Sequence, residues 1–387
     1  MLKFKEHQKI NELWFTSIFQ SLLNKIRSAF AALSFGKSEK VVISMPELHE
    51  AVDLKSRLGY LSEYATGAAL AHLIHNKGLR LTKRSDHMKM MNDYVKKRQE
   101  VEALGAEKSE VDRMEHAGYN MSNQIWADIQ TNGEDLALLT FDIELTGDSA
   151  KGESKGDLVL TITKDSKDVI IDRIVASLKA YKSATINLSN STFISLIKTI
   201  FYDSDANLPS RSEEFIIRFA QDFGSHADMI KLYELQNIIG TQMKTGASKE
   251  EARGYAKTTH GDVIGIISKI FKTYYPKHKQ EINERVLKML GLDGDDDFYA
   301  AIGEAGKQKV ISSRKSKELQ QMLADLSKGF NLTIERNGTT NNANMVFTSP
   351  KGDKIINKMN ITFADTGGKN PQGKTNAFMN FGPYVSK

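Results

Sequence analysis

The chain of 387 residues contains no cysteine. That excludes disulfides, zinc sites built on thiolates and cysteine nucleophiles, and it suits a reducing compartment. It has no run of about 18 uncharged apolar residues, so no membrane span is expected. The first nine residues hold three lysines and a glutamate, with no clean apolar run after them, which is unlike a secretory leader. The expected location is therefore the cytoplasm. No Gly-x-Ser-x-Gly element supports a serine hydrolase, and no repeat has the period of a solenoid. What remains is ordinary globular composition, 40% hydrophobic and 26% charged, in a chain long enough for two or three domains. The net charge of +5 permits a polyanionic partner without demanding one.

The patterning divides the chain. Ile10, Leu13, Trp14, Ile18, Leu22, Ile26, Phe30 and Leu33 recur at helical spacing. Residues 1–35 thus read as an amphipathic helical arm, a surface for a protein partner or a second copy of the chain. A short strand is expected over 41–45 and helix over 47–76. Residues 36–205 read as an α/β core, with a polar helical insertion over 80–130 and strands over 136–146, 157–163 and 169–180. A helix follows at 191–203. Residues 206–328 read as mainly helical and 329–387 as a small β-rich segment. Exposed loops are expected at 147–156 and 336–343. The fold class is α/β (α+β): a mixed sheet core with large helical additions.

Residues 156–190 are the most informative. Leu158–Thr163 and Val169–Ala180 flank the turn signal Lys164-Asp165-Ser166-Lys167, which predicts a β-hairpin. Side chains alternate along a strand, so Ser177 and Lys179 share one face, while Ile174, Ala176, Leu178 and Ala180 take the other. Asp157, at the open end of the partner strand, falls roughly opposite 174–177. Cross-strand neighbours lie within about 5–8 Å, so Asp157, Ser177 and Lys179 can converge. An acid beside a lysine suits phosphodiester hydrolysis. The acid holds a hydrated Mg²⁺ or Mn²⁺, which needs only one or two carboxylates. The lysine orients water and stabilises developing charge.

These residues resemble the PD-(D/E)XK nuclease superfamily, the restriction-endonuclease-like fold. The resemblance lies in Gly156-Asp157 opening one strand and Ser177-Leu178-Lys179 in the next. The helix around Gly59-Tyr60-Leu61-Ser62-Glu63-Tyr64-Ala65 is similar to the preceding helix that donates a further glutamate. The order of helix, three strands and helix is similar to the αβββαβ core, over roughly 57–203. The resemblance implies a metal-dependent endonuclease acting on DNA, with Asp157 as metal ligand, Lys179 as catalytic lysine, and Glu63 or Glu144 completing the metal shell. Two departures stand out: Gly156 replaces a proline, and Ser177 occupies the place of the second acid. Asp142 and Glu144 share a strand face and are candidate substitutes. The opening Met1-Leu2-Lys3-Phe4-Lys5-Glu6 resembles many tailed-phage gene products, which implies host cytoplasm. The alternative expectation is a non-enzymatic phage structural or DNA-associated protein with a degenerate core.

Other signals are weaker. Gly368-Lys369-Asn370-Pro371-Gln372-Gly373-Lys374-Thr375 matches the P-loop string but leaves no room downstream for its helix. Asp293, Asp295, Asp297 and Glu304 imitate a calcium loop with Phe298 in place of the required glycine. Phe298–Glu304 reads as helix capped by those aspartates. His72 and His75 lie three apart on a predicted helix and read as surface or core histidines. Two basic clusters could follow a phosphate backbone. One comprises Arg80, Lys83, Arg84, Lys89, Lys96, Lys97 and Arg98. The better candidate comprises Lys307, Lys309, Arg314, Lys315 and Lys317, with Lys182 beside the hairpin as a further phosphate contact.

Overall fold

The computed structural model describes residues 54–146, 157–164, 169–202, 208–224, 226–294, 296–336, 342–363 and 372–384. All lie in the compact unit Glu50–Lys387; the other unit, Met1–His49, falls outside them, and with it the expected arm and the strand at 41–45. The architecture is mixed α and β, built on two sheets.

The first sheet has six strands in the order β1-β2-β3-β4-β6-β7: Arg80–Leu81, Leu139–Leu145, Leu158–Lys164, Val169–Tyr181, Asp297–Ile302 and Lys309–Ser312. Strands β2, β3 and β4 form an antiparallel meander. Strand β6 joins β4 in parallel, which demands a long crossover, and residues 182–296 supply it. One face of this sheet carries Phe141, Ile143, Leu158, Leu160, Ile174 and Ala176, all buried. Helices α1 (Leu54–Asn76) and α3 (Lys108–Asp128) cover it. Gly67 of α1 abuts Leu145, and Trp126 of α3 lies against Phe141 at 6.1 Å between ring centroids.

Small residues set how closely the helices approach. A Cβ built on Gly118 of α3 would sit 2.5 Å from the Cβ of Ala65 and 2.8 Å from the backbone nitrogen of Thr66 on α1. Only glycine fits there. Helix α2 (His87–Ala103) begins at Asp86, whose carboxylate accepts from the amides of Met88 and Lys89. Buried Glu115 of α3 ties α2 in place, accepting from the Tyr94 hydroxyl and pairing with Arg98 at 3.1 Å.

The second sheet is wholly antiparallel in the order β5-β11-β10-β9-β8: Thr185–Thr192, Gly373–Asn380, Lys354–Phe363, Asn342–Thr348 and Asn331–Arg336. Its inner face, including Met345, Phe347, Met359, Ala377 and Met379, packs on α4 (Phe193–Phe201), α6 (His226–Lys244), α8 (His260–Tyr274) and α9 (Lys279–Leu290). Helices α5 (Ser212–Phe223), α7 (Lys249–Thr258) and α10 (Lys317–Ser327) complete the fold. Phe298, Ala300 and Ile311 of the first sheet join the same apolar cluster, so the two sheets share one core.

Three expectations are corrected. Phe298–Glu304 is not a helix: Asp297–Ile302 is β6, buried between β4 and β7. A central strand buried on both faces reads as a continuous apolar run, which periodicity does not separate from a buried helix. The aspartates therefore cap no helix there. The mainly helical stretch 206–328 also supplies β6 and β7 to the first sheet. Finally, the chain does not pass from β4 straight into a helix: β5 intervenes, and it pairs with β11 near the end of the chain. The P-loop string ends in a strand, with Gly373, Lys374 and Thr375 on β11. The proposed turn 165–167 and the loop 147–156 lie outside the described residues.

Candidate active site

Strand pairing builds the site. Leu158 faces Ala176 across β3 and β4, which sets Asp157 beside Ser177 at the end of the ladder. The amide of Asp157 donates to the Ala176 carbonyl at 2.8 Å. Its carboxylate turns back over β4, and Oδ2 accepts from the Leu178 amide at 2.7 Å and from Lys179 Nζ at 3.1 Å. The carboxylate thus takes the place of the next backbone acceptor where the ladder ends. The expected convergence of Asp157 and Lys179 is present. Their side chains are 20% and 26% exposed, so the pair is neither sealed inside nor fully solvated. Ser177 is half-buried on the same strand face as Lys179.

Strand β4 is held firmly around this pair. Its edges are β3 and β6, with Lys179 opposite Ala300. Arg113 of α3, itself nearly buried, donates to the Ala180 carbonyl at 3.3 Å and pairs with Glu110 at 2.8 Å. Lys182 also pairs with Glu110. Those two cations hold the Glu110 carboxyl below the usual range against the opposing effect of desolvation, and the Glu110 hydrogen bond raises Lys182. Lys182 thus pairs within the chain, with its side chain about half exposed at 53%.

The other proposed ligands lie elsewhere. Glu144 pairs with Arg84 at 3.2 Å, and Arg84 also holds Asp142. Asp142 accepts in addition from Thr82 and from Ser85 at 2.9 Å, and these partners keep its carboxyl below the usual range although burial opposes them. Asp142 is thus fully engaged by its neighbours, while Glu144 makes one exposed ion pair. Glu63 is buried on α1, the helix over the opposite, apolar face of the sheet. Among the described residues no group of three or more His, Asp or Glu is arranged to hold a metal ion, so Asp157, Glu63 and Glu144 form no ready-made ligand set.

The basic cluster after β6 is also divided. Arg314 Nε donates to Asp297 at 2.9 Å, Nη1 to Asp172 at 3.1 Å and Nη2 to the Arg173 carbonyl at 2.9 Å. Lys315 pairs at 3.1 Å with Asp128, whose side chain is fully buried. Burial pushes the Asp297 carboxyl up despite Arg314 beside it. Arg314 ties β4 to β6 and Lys315 pairs with the end of α3, while Lys307, Lys309 and Lys317 are exposed. In the first cluster Arg98 pairs with Glu102 at 3.0 Å, and Lys97 lies 5.4 Å from the Tyr64 ring centroid.

Two arrangements escaped the sequence. His87 stacks on His75 with ring centroids 3.6 Å apart and lies 6.4 Å from His72. The turn from α1 through β1 to α2 gathers them, and no spacing rule reveals it. The second is an amide-bearing face on the second sheet, visible in the sequence only as a surplus of asparagine in strands.

No family model, no curated protein and no solved structure matches the chain. Among the described residues no helix is long and apolar enough to cross a membrane.

Proposed function

We propose that the chain is a magnesium- or manganese-dependent nuclease of the PD-(D/E)XK kind acting on DNA. The observation that carries this reading is the half-open Asp157–Lys179 pair, 3.1 Å apart on adjacent strands. The order α1, β2, β3, β4 and then β6 parallel to β4 supports it, being similar to the αβββαβ core.

Both contacts to Asp157 fall on Oδ2. Oδ1 is therefore the oxygen available to a cation. One carboxylate meets the minimum for hydrated Mg²⁺, so the residues fit a lean, single-carboxylate site. A cation held there supplies charge neutralisation at the phosphate and a more acidic water. Lys179 keeps two of its ammonium protons for other partners. It orients the attacking water and stabilises charge on the phosphoryl oxygens as the P–O ester bond breaks. The Ser177 hydroxyl, on the same face, positions a phosphate oxygen. Exposed Lys307 and Lys317 are the contacts to the DNA backbone.

The second reading is a non-enzymatic DNA-associated or assembly protein. Ser177 in place of an acid, and the absence of a gathered ligand set among the described residues, favour it. Incubation with plasmid DNA and Mg²⁺ or Mn²⁺ separates the two. Under the nuclease reading the wild type cleaves. Lys179→Ala and Asp157→Ala each lower the rate at least about 10²–10³-fold, the scale of losing one charge-stabilising group, while circular dichroism shows a folded chain. Full activity in either variant removes the assignment. No cleavage of any substrate, modified DNA included, favours the second reading.

A further inference from the structure

Helices α1 and α3 cover the apolar face of the first sheet. The opposite face of β2, β3 and β4 is more polar, and strand register gives its rows. Asp142 lies beside Thr161, and Thr161 beside Arg173. Arg173, Val175, Ser177 and Lys179 follow one another on this face of β4, because side chains alternate along a strand. Arg173 and Lys179 therefore share one side of one strand, six positions and about 20 Å apart.

Arg173 is held unlike the other arginines around this sheet. Arg314 turns its guanidinium to Asp172 and Asp297, Arg84 to Asp142 and Glu144, and Arg113 to Glu110. Arg173 is exposed, and no acid among the described residues pairs with its guanidinium. Its main chain, by contrast, is pinned. The amide donates to Asp172 Oδ1 at 2.8 Å, the carbonyl accepts from Arg314 Nη2 at 2.9 Å, and Thr161 pairs with it across the ladder. A fixed stem carrying a free, planar, five-donor head loses little freedom when it meets an anion.

Charge selects the occupant. The acids that register places on this face are Asp142, Glu144 and Asp157. Arg84 matches the first two, and Lys179 the third. Arg173 is the surplus charge, and it is positive. Beside it lies the half-buried hydroxyl of Thr161, a further donor. A guanidinium with a neighbouring hydroxyl suits a phosphate rather than a cation or an apolar helix. Duplex DNA is stiff over this length and carries one charge per ~1.7 Å of axis, so about 12 charges pass along 20 Å. A duplex that meets Lys179 with one phosphate and Arg173 with another has to lie along β4.

We propose that Arg173 is a backbone contact for duplex DNA lying along β4, engaging a phosphate about 20 Å from the one at Lys179; the choice of DNA rests on the nuclease reading above. Binding is measured apart from cleavage, by fluorescence anisotropy of a labelled duplex with Ca²⁺ replacing Mg²⁺, over a series of salt concentrations. Arg173→Gln lowers affinity about tenfold, the scale of one charge-assisted contact. It also flattens the slope of log affinity against log salt by about 0.9. Arg173→Lys restores the slope, because the charge returns. Both variants melt with the wild type, since the guanidinium holds no acid in the described fold. Combined with Lys179→Gln, the losses in affinity multiply, because the two phosphates are separate. With Mg²⁺, Arg173→Gln raises KM and leaves kcat unchanged, the mark of binding shared by ground and transition states. Unchanged affinity and salt slope in Arg173→Gln overturn the proposal, as does a slope that Arg173→Lys fails to restore or a wild type that binds no duplex. Arg173-dependent binding by a wild type that never cleaves keeps the contact and removes the nuclease reading. Cleavage by a wild type whose Arg173→Gln variant binds equally well does the reverse.

Discussion

Arg314 offers the sharpest test of the electrostatic account, because the sequence suggests a DNA contact and the structure spends the side chain internally. Arg314→Met keeps most of the aliphatic stem and removes every donor. Asp297, Asp172 and the Arg173 carbonyl then lose partners at 2.9, 3.1 and 2.9 Å. Removing one partner of a fully buried pair costs about 3–5 kcal/mol. Here Arg314, Asp172 and Asp297 are 18%, 11% and 21% exposed, so water recovers part of that. The expected loss is about 3 kcal/mol, at the low end. At roughly 2 °C per kcal/mol for larger domains, the melting temperature falls about 6 °C. The pH dependence carries a sign. Burial already raises the Asp297 carboxyl, and loss of Arg314 raises it further. A carboxyl raised in the native state favours folding at low pH and loses that contribution as pH rises through its native value. The deficit of the variant should therefore shrink on acidification from neutral pH. Urea unfolding at several pH values, with DNA binding measured in parallel, decides the matter. Unchanged stability with weaker DNA binding would make Arg314 a phosphate contact and refute the network.

Two further outcomes follow from the packing. Gly118→Ala forces its new methyl into the Ala65 and Thr66 backbone of α1, so it should cost about 1–3 kcal/mol by overpacking, read by chemical denaturation; a neutral result would mean the helices can part freely. Burial, then neighbouring imidazoles, hold His72 and His87 below the ordinary histidine range. The unfolded chain therefore takes up protons first as pH falls below about 6.5. Stability present above that value is lost on further acidification, and His87→Gln should flatten a melting curve series from neutral to acid pH.

Local pattern carried much of the fold. Leu158–Thr163 and Val169–Ala180 alternate, and their pairing follows from one turn, so the meeting of Asp157 with Lys179 was legible in a short stretch of chain. What lay beyond local pattern was lost. Phe298-Tyr299-Ala300-Ala301-Ile302 is apolar throughout because β6 is buried on both faces, which erases the period that marks a strand. Thr185–Thr192 alternates through Ile186 and Leu188, but its partner β11 lies near the end of the chain. The fate of Glu144 depended on Arg84, distant in sequence, and that of Arg314 on Asp172. Charges are legible as composition, whereas their partners are decided by tertiary register.

Strand β4 ties these observations together. It is the longest described strand, 13 residues, and each stretch has a separate duty. Asp172 near its start receives Arg314, Ile174, Ala176 and Leu178 fill the core, and Lys179 meets Asp157 near its end. Asp172 and Lys179 are seven positions apart, about 23 Å of strand. Strand β3 pairs with Val169–Ala176 and β6 with Ala176–Tyr181, so the two halves of β4 are held by different neighbours. The two ends therefore answer to different partners. Losses in stability from Arg314→Met and Lys179→Ala should add to within about 0.5 kcal/mol in the double variant, as they do for distant sites with no shared partner. Lys179, half-open and paired to one carboxylate, contributes only about 0–1 kcal/mol through that pair. The double variant should then unfold much like Arg314→Met alone. A coupling above 1 kcal/mol in the cycle would show that β4 transmits strain along its length, and the independence of the two ends would be lost.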